Sequence, residues 1–202
     1  SINVPVGDFK EQLIGKKIVN IRRRAKFLIF ELSSGQSLLL HLMLGGWMYL
    51  GSEMDTPDRT KQVIISMGNK QLQFIGLRLG YLHLLAKETL EEELSNLGPE
   101  LNDITQQQWI NILEARRGKV KTTLINQEVF AGIGNLYSDE ICFHAMIHPE
   151  QTCNNLDSTQ LVQLYKSMIE VMKEALQFGG YMDHPLYKQD TLTGSFYEKR
   201  KV

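Results

Sequence analysis

The chain has 202 residues, 43% of them hydrophobic, and a formal charge of −1 at pH 7. That describes an ordinary soluble protein with room for one large domain or two small ones. It excludes a membrane-spanning helix, since no run approaches the roughly eighteen apolar residues needed, and the first residues do not read as a secretory signal. The two cysteines, Cys142 and Cys153, suit neither a CxxC metal site nor a disulfide framework, and read as buried or inert thiols of a reducing cytoplasm.

In chain order, residues 8–13 suggest a short helix ending near Gly15, with Pro5 before it as a turn or strand-edge residue. Residues 16–85 then break into short segments of strand character: 18–23, 27–32, 37–42, 47–50, 63–67, 71–74 and 80–84. Turn signals punctuate them at Ser33-Ser34-Gly35, Gly45-Gly46 and Gly68-Asn69. Short strands with tight turns predict an antiparallel sandwich. From Thr89 onward the period becomes helical, over 89–96, 105–116, 120–126, 135–146 and a long 157–177. The last carries Leu161, Leu164, Tyr165, Met168, Ile169, Met172 and Leu176 as one apolar stripe and stops at Gly179-Gly180. Thr105 and either Ser158 or Asp157 are the expected N-caps. The fold expected is therefore α+β: a sandwich over 1–86, incomplete at its N-terminus, followed by a helical domain over 87–202.

Charge is unevenly spread. Six of the eleven residues from Lys16 to Lys26 are basic, and Arg116, Arg117, Lys119 and Lys121 form a second cluster, with Lys199-Arg200-Lys201 a third. Acidic residues gather between Glu88 and Asp103. Solvated faces account for many charge runs, but separated basic clusters also fit a molecule with a DNA-facing side.

The most informative stretch is Ala131-Gly132-Ile133-Gly134-Asn135-Leu136-Tyr137-Ser138-Asp139-Glu140, continuing through Phe143 to Ile147-His148-Pro149. A glycine-rich turn feeding a helix N-terminus leaves N–H groups unpaired beside a partial positive charge, a seat for phosphate to which Asn135 adds a donor. On spacing alone it reads equally well as a tight helix–helix turn.

Over these nineteen residues the chain resembles the helix–two-turns–helix (H2TH) signature of the Fpg/Nei (formamidopyrimidine-DNA glycosylase and endonuclease VIII) family, AGIGNxYxDExLFxAxIHP. Further similarity lies at Arg23-Arg24-Ala25-Lys26-Phe27-Leu28, His41-Leu42, Leu97-Gly98-Pro99-Glu100 and Gly179-Gly180. The resemblance implies a β-sandwich followed by an H2TH DNA-binding domain. It also implies base-excision repair by a DNA glycosylase and AP lyase acting on oxidised bases.

By the same resemblance, Lys26 matches a hairpin lysine that contacts DNA phosphate and assists proton transfer, although a lysine there also reads as a solvated strand end. Lys121, fourteen residues before Asn135, matches a lysine near the lesion, or is a helix-surface lysine. Gly134, Asn135 and Tyr137 belong to the DNA-binding turn, with Tyr137 and Glu140 equally able to orient it. Leu44 stands where the family inserts a methionine to fill the space of a flipped base, with Met43 beside it; both also suit a strand core. The family loop Asp-Pro-Arg-Arg-Phe-Gly becomes Ile75-Gly76-Leu77-Arg78-Leu79-Gly80. Arg78 survives as a DNA contact and Leu79 as a wedge, while hydrogen-bond readout of the base opposite the lesion is lost. Residues 181–195 fall where the family keeps a mobile lesion-capping loop, of a composition that allows disorder.

The family's nucleophile is an N-terminal proline followed by glutamate, and its C-terminus carries a four-cysteine zinc finger; neither motif occurs here. The expectation is a core fragment that binds DNA without chemistry, from a parent that is an active enzyme with a zinc finger. The alternative is a non-catalytic paralogue that binds damaged or branched DNA. The partner expected is double-stranded DNA, damaged or with abasic sites, bound by a monomer in the bacterial cytoplasm at the nucleoid. No cofactor, metal or membrane is expected for these residues.

Overall fold

The computed structural model describes residues 1–202. By packing, the chain divides into one unit of Ser1–Ser95 with His184–Thr191 and a second of Asn96–Asp183 with Leu192–Val202. No helix is long and apolar enough to cross a membrane.

The first unit opens with α1 (Val6–Leu13), which starts on Pro5 and buries Phe9. Proline serves at a helix start because the lost N–H would be unpaired there anyway. Seven strands follow: β1 (Ile18–Arg24), β2 (Phe27–Leu32), β3 (Ser37–His41), β4 (Trp47–Gly51), β5 (Lys61–Met67), β6 (Lys70–Ile75) and β7 (Tyr81–Leu85). They form two antiparallel sheets of order β1-β2-β3-β7 and β4-β6-β5. Alternation along β2 and β3 sends Phe30, Leu32, Leu38 and Leu40 inward to meet Leu72 and Phe74 of β6 and Phe9 of α1. The intervening residues Ile29 and Leu39 point to the opposite face, where Leu90 of α2 (Lys87–Leu94) covers them. That packing sets α2 with the sandwich, so the division falls after this helix rather than at the expected 86/87 boundary.

Segment 184–191 also packs with the sandwich. Trp47 Nε1 donates to the Pro185 carbonyl at 2.7 Å, Leu50 N donates to Leu186 O at 2.8 Å, and the Trp47 and His184 rings lie 4.9 Å apart. The polar composition that allows disorder is overridden here by edge pairing to β4.

The second unit contains α3 (Gln106–Glu114), α4 (Val120–Ile125), α5 (Asn135–Ala145), a 3-10 turn at Cys153–Asn155, α6 (Ser158–Gln177) and a 3-10 turn at Ser195–Lys199. Thr105 caps α3 and Asp157, not Ser158, caps α6. Each forms a reciprocal capping box, with Gln108 and Gln160 respectively. The buried stripe of α6 is Leu161, Leu164, Met168, Val171 and Ala175, spaced three and four apart. Tyr165 and Met172 flank it, whereas Ile169 and Leu176 of the expected stripe face solvent. On α5, Ile141, Cys142 and Ala145 enter the core, while Phe143 and Met146 are exposed. Met146 ends that helix in the left-handed region at φ 55°.

Candidate nucleic-acid interface

In the sandwich unit, Lys26 sits in the β1–β2 turn, after Ala25, whose φ of 52° turns the chain. The lysine side chain is exposed, yet partial burial holds its ammonium below the ordinary value of 10.5. Next to it, Phe27 is in register with His41 and His41 with Tyr81. The Phe27 ring meets the His41 ring edge-on at 4.7 Å, and His41 stacks with Tyr81 at 5.7 Å. His41 Nδ1 accepts from Met43 N at 3.1 Å, which leaves Nε2 as the free ring nitrogen. Burial first, and then the Lys26 charge, lower the His41 pKa. A side chain between a cation and two aromatic rings was legible in the sequence only as half of the His41-Leu42 pair.

The loops after β3 and after β6 touch through their backbones. A Cβ on Gly76, whose φ is +68°, would lie 2.3 Å from Gly45 O; one on Gly80 would lie 2.5 Å from His41 O. Only glycine allows this approach. The paired loops raise Leu44 and Leu79 into solvent, 76% and 59% exposed, with Met43 and Arg78 also exposed. Both leucines thus stand on the surface of touching loops and not in the strand core. Leu77, at the family's first arginine position, goes the other way and is buried in the sandwich core.

In the helical unit, the turn 126–134 is braced by a residue that periodicity does not reveal. Gln127 Nε2 donates to Ile125 O at 2.7 Å and Ile133 O at 2.9 Å, and its Oε1 accepts from Gly132 N at 3.0 Å. The Leu97–Glu100 segment backs the same turn: Gly98 N donates to Gln127 O, and Ala131 N to Pro99 O. A Cβ on Gly98 would meet Glu128 O and Val129 at 2.7 Å, so side chains are excluded there.

The turn delivers Gly134 as N-cap of α5 with no side-chain cap. The amides of Asn135, Leu136 and Tyr137 have no acceptor; the first helical bond is Ser138 N to Gly134 O at 2.9 Å. The Asn135 side chain is exposed and unpartnered. Three free amides thus stand at one helix end, with the exposed Asn135 side chain on its first turn, an arrangement that can seat an anion. Tyr137 turns its ring inward, 5.7 Å from both Tyr181 and Phe196. Burial, then Tyr181, push its phenol up to about 12. Glu140 is buried and accepts from Lys201 N at 3.0 Å and Val202 N at 3.1 Å, so it anchors main chain.

Of the cationic cluster beside this turn, Lys119 pairs with Glu150 at 2.6 Å and Lys121 with Asp139 at 2.7 Å. Arg116 and Arg117 are exposed without such partners. The two cysteines do not fit a zinc site. Both are buried in the helical core, Cys153 donates to Thr123 Oγ1, and no group of three potential ligands occurs.

Two family patterns match. Residues 1–81 match the formamidopyrimidine-DNA glycosylase N-terminal domain, and residues 96–184 match the formamidopyrimidine-DNA glycosylase H2TH domain. A formamidopyrimidine-DNA glycosylase of Bacillus cereus (strain ATCC 14579) is 32% identical over 96% of this chain and 72% of its own length. One from Listeria monocytogenes serotype 4b is 28% identical over 100% and 76%. The Lactococcus lactis Fpg in complex with DNA containing an abasic site superposes with a TM-score of 0.86 at 29% identity, covering 97% of this chain and 74% of that one. A Lactococcus lactis Fpg variant bound to DNA with a Fapy-dG lesion gives 0.85 at 30%, with the same coverage.

Proposed function

Since the chain belongs to the formamidopyrimidine-DNA glycosylase family, we propose that it serves base-excision repair, engaging duplex DNA at oxidised bases and abasic sites. The observation that carries this is the α5 terminus: three free amides and the Asn135 side chain on a turn braced by Gln127. A phosphate there receives hydrogen bonds and the helix dipole together.

Each unit supplies DNA-facing groups. In the helical unit these are Gly134, Asn135, Lys121, Arg116 and Arg117. In the sandwich unit they are Lys26, His41 and Arg78 for the backbone, with Leu44 and Leu79 filling the gap that a flipped base leaves in the stack. Tyr137 contributes its amide, while its ring supports the turn from behind. Lys26, its proton loosened by partial burial, is the group suited to hold phosphate and to move a proton near the sugar.

The family reaction begins when a terminal secondary amine attacks the sugar C1′. The glycosidic bond breaks, the base leaves, and the resulting Schiff base permits elimination of the 3′ phosphate. The proline that provides that amine has no counterpart among these 202 residues. By themselves they are therefore expected to bind DNA without forming the covalent adduct, as a monomer without a cofactor. The bacterial relatives fit action at chromosomal DNA in the cytoplasm.

Anisotropy titrations of a plain duplex and a duplex with a central abasic analogue test the reading. The abasic duplex should bind more tightly by about tenfold or more, equivalent to roughly 1.4 kcal/mol. Equal affinity for the two would overturn damage recognition, and no binding to either would overturn DNA binding altogether. Borohydride trapping on the abasic duplex should give no adduct with the 202-residue chain; an adduct above a boiled control would overturn its expected inactivity.

A further inference from the structure

Lys121 Nζ lies 2.7 Å from Asp139 Oδ1 and 2.8 Å from Oδ2, a two-pronged ion pair between α4 and α5. The two side chains are 29% and 33% exposed, less than those of the Lys119–Glu150 pair nearby. Asp139 follows Asn135 by four residues on α5, so the two share a helix face about 6 Å apart. The ammonium of Lys121 is thereby held one turn behind the free amides, over the face that carries Asn135.

Left unpaired, a lysine ranges widely on its flexible stem and meets any phosphate within reach as a compact point charge. Pairing changes both properties. The carboxylate fixes where the ammonium is, and it cancels the charge that would otherwise draw every stretch of DNA backbone. A phosphate approaching Lys121 must either bring its own charge against Asp139 or pull the lysine away and leave a half-buried carboxylate alone. Both disfavour an indiscriminate contact.

We propose that Asp139 is a positioning residue for DNA binding, one that holds Lys121 beside the phosphate seat and mutes its charge. The lysine then adds little on plain duplex and is kept for the lesion. This rests on the DNA-binding reading above and deepens it by assigning a source of discrimination.

Asp139→Asn keeps the size of the side chain and removes its charge. Affinities of the purified protein for plain and abasic duplexes, measured across a salt series, give the readout. With the lysine freed, plain-duplex affinity should rise, and the slope of log affinity against log salt should steepen by about 0.9, the increment for one more phosphate contact. The preference for abasic DNA should fall accordingly. Asp139→Glu, which retains the charge, should restore the original slope.

The double variant Lys121→Ala/Asp139→Asn matches the unmodified protein in net charge. With no lysine left to free, it should lack the steeper slope of Asp139→Asn, and its preference for abasic DNA should fall. Thermal melting of each variant separates lost binding from a lost fold. An unchanged slope in Asp139→Asn, or a double variant with undiminished abasic preference, would overturn the proposal while leaving DNA binding intact. Failure of the unmodified protein to bind any duplex would overturn both.

Discussion

Gly76→Ala tests whether the touching loops of the sandwich unit are held together by the absence of a side chain. Two costs add. The backbone at φ +68° lies in the left-handed region, which costs an L-residue about 1–2 kcal/mol. The new Cβ would also sit 2.3 Å from Gly45 O, with the Gly45 carbonyl carbon at 3.2 Å, so the 43–46 loop must retreat. Overpacking of this kind costs a further 1–3 kcal/mol, roughly, for a total of about 2–5 kcal/mol. Gly68→Ala is the matched control, since its φ is +62° but nothing lies within 4 Å of the added Cβ. It should lose only the backbone share. Urea unfolding of both variants, with the slope of the transition unchanged, measures the difference. Because Gly45 adjoins Leu44, Gly76→Ala should also weaken the preference for abasic DNA while plain-duplex affinity holds. Equal destabilisation by the two substitutions would refute the close-approach argument.

Asn135→Ala should leave stability unchanged, because the side chain has no partner in the fold. Affinity should drop by a similar factor for plain and abasic duplexes, about tenfold, the worth of one hydrogen bond to a charged group; unchanged binding would make the turn structural only. His41 and His83 both have pKa values below the ordinary 6.5, chiefly through burial. The unfolded chain therefore takes up those protons first. Stability is full above pH 6.5 and declines as pH falls from there toward the folded-state values. Thermal melting across that window should show the decline, and His41→Gln with His83→Gln should flatten it; an identical profile in the double variant would exclude these rings as the cause. Leu77 is buried and Leu79 exposed; if Leu79 fills the stack as proposed, opposite-base readout lacks hydrogen bonds there. Affinities for an abasic site opposite each of the four bases should lie within about tenfold, the low end of one bidentate contact, and a clear preference for one base would count against the wedge assignment.

The parts of this fold governed by local rules were open to reading. Short apolar segments set off by the turn signals at Ser33-Ser34-Gly35 and Gly45-Gly46 marked β2 and β3, and the Gly134–Asn135 turn marked the start of α5. What stayed hidden depends on partners distant in sequence. Seven apolar positions on α6 lie close to one stripe, and only the packing of neighbouring helices decides that Val171 and Ala175 face inward while Ile169 and Leu176 do not. Leu90 assigns α2 to the sandwich through Ile29 and Leu39, sixty-one and fifty-one residues earlier. At the candidate interface, the motif exposed Asn135 but not its setting. Gln127 is an ordinary loop residue until the turn closes around it, and the Lys121–Asp139 pair exists only once α4 and α5 are side by side.

The docking of residues 184–191 on the β4 edge makes the sandwich unit discontinuous in sequence. Its chain leaves at Ser95, returns at His184 and leaves again at Thr191. One cut between 95 and 96 therefore cannot separate the units cleanly. An isolated 1–95 piece would expose the Trp47 indole N–H and the Leu50 amide that Pro185 and Leu186 now satisfy. The complementary piece would carry an eight-residue strip with no edge to pair against. Limited proteolysis should accordingly release fragments that stay associated until denaturant is added, and a clean dissection would need a graft of 184–191 onto the β-unit.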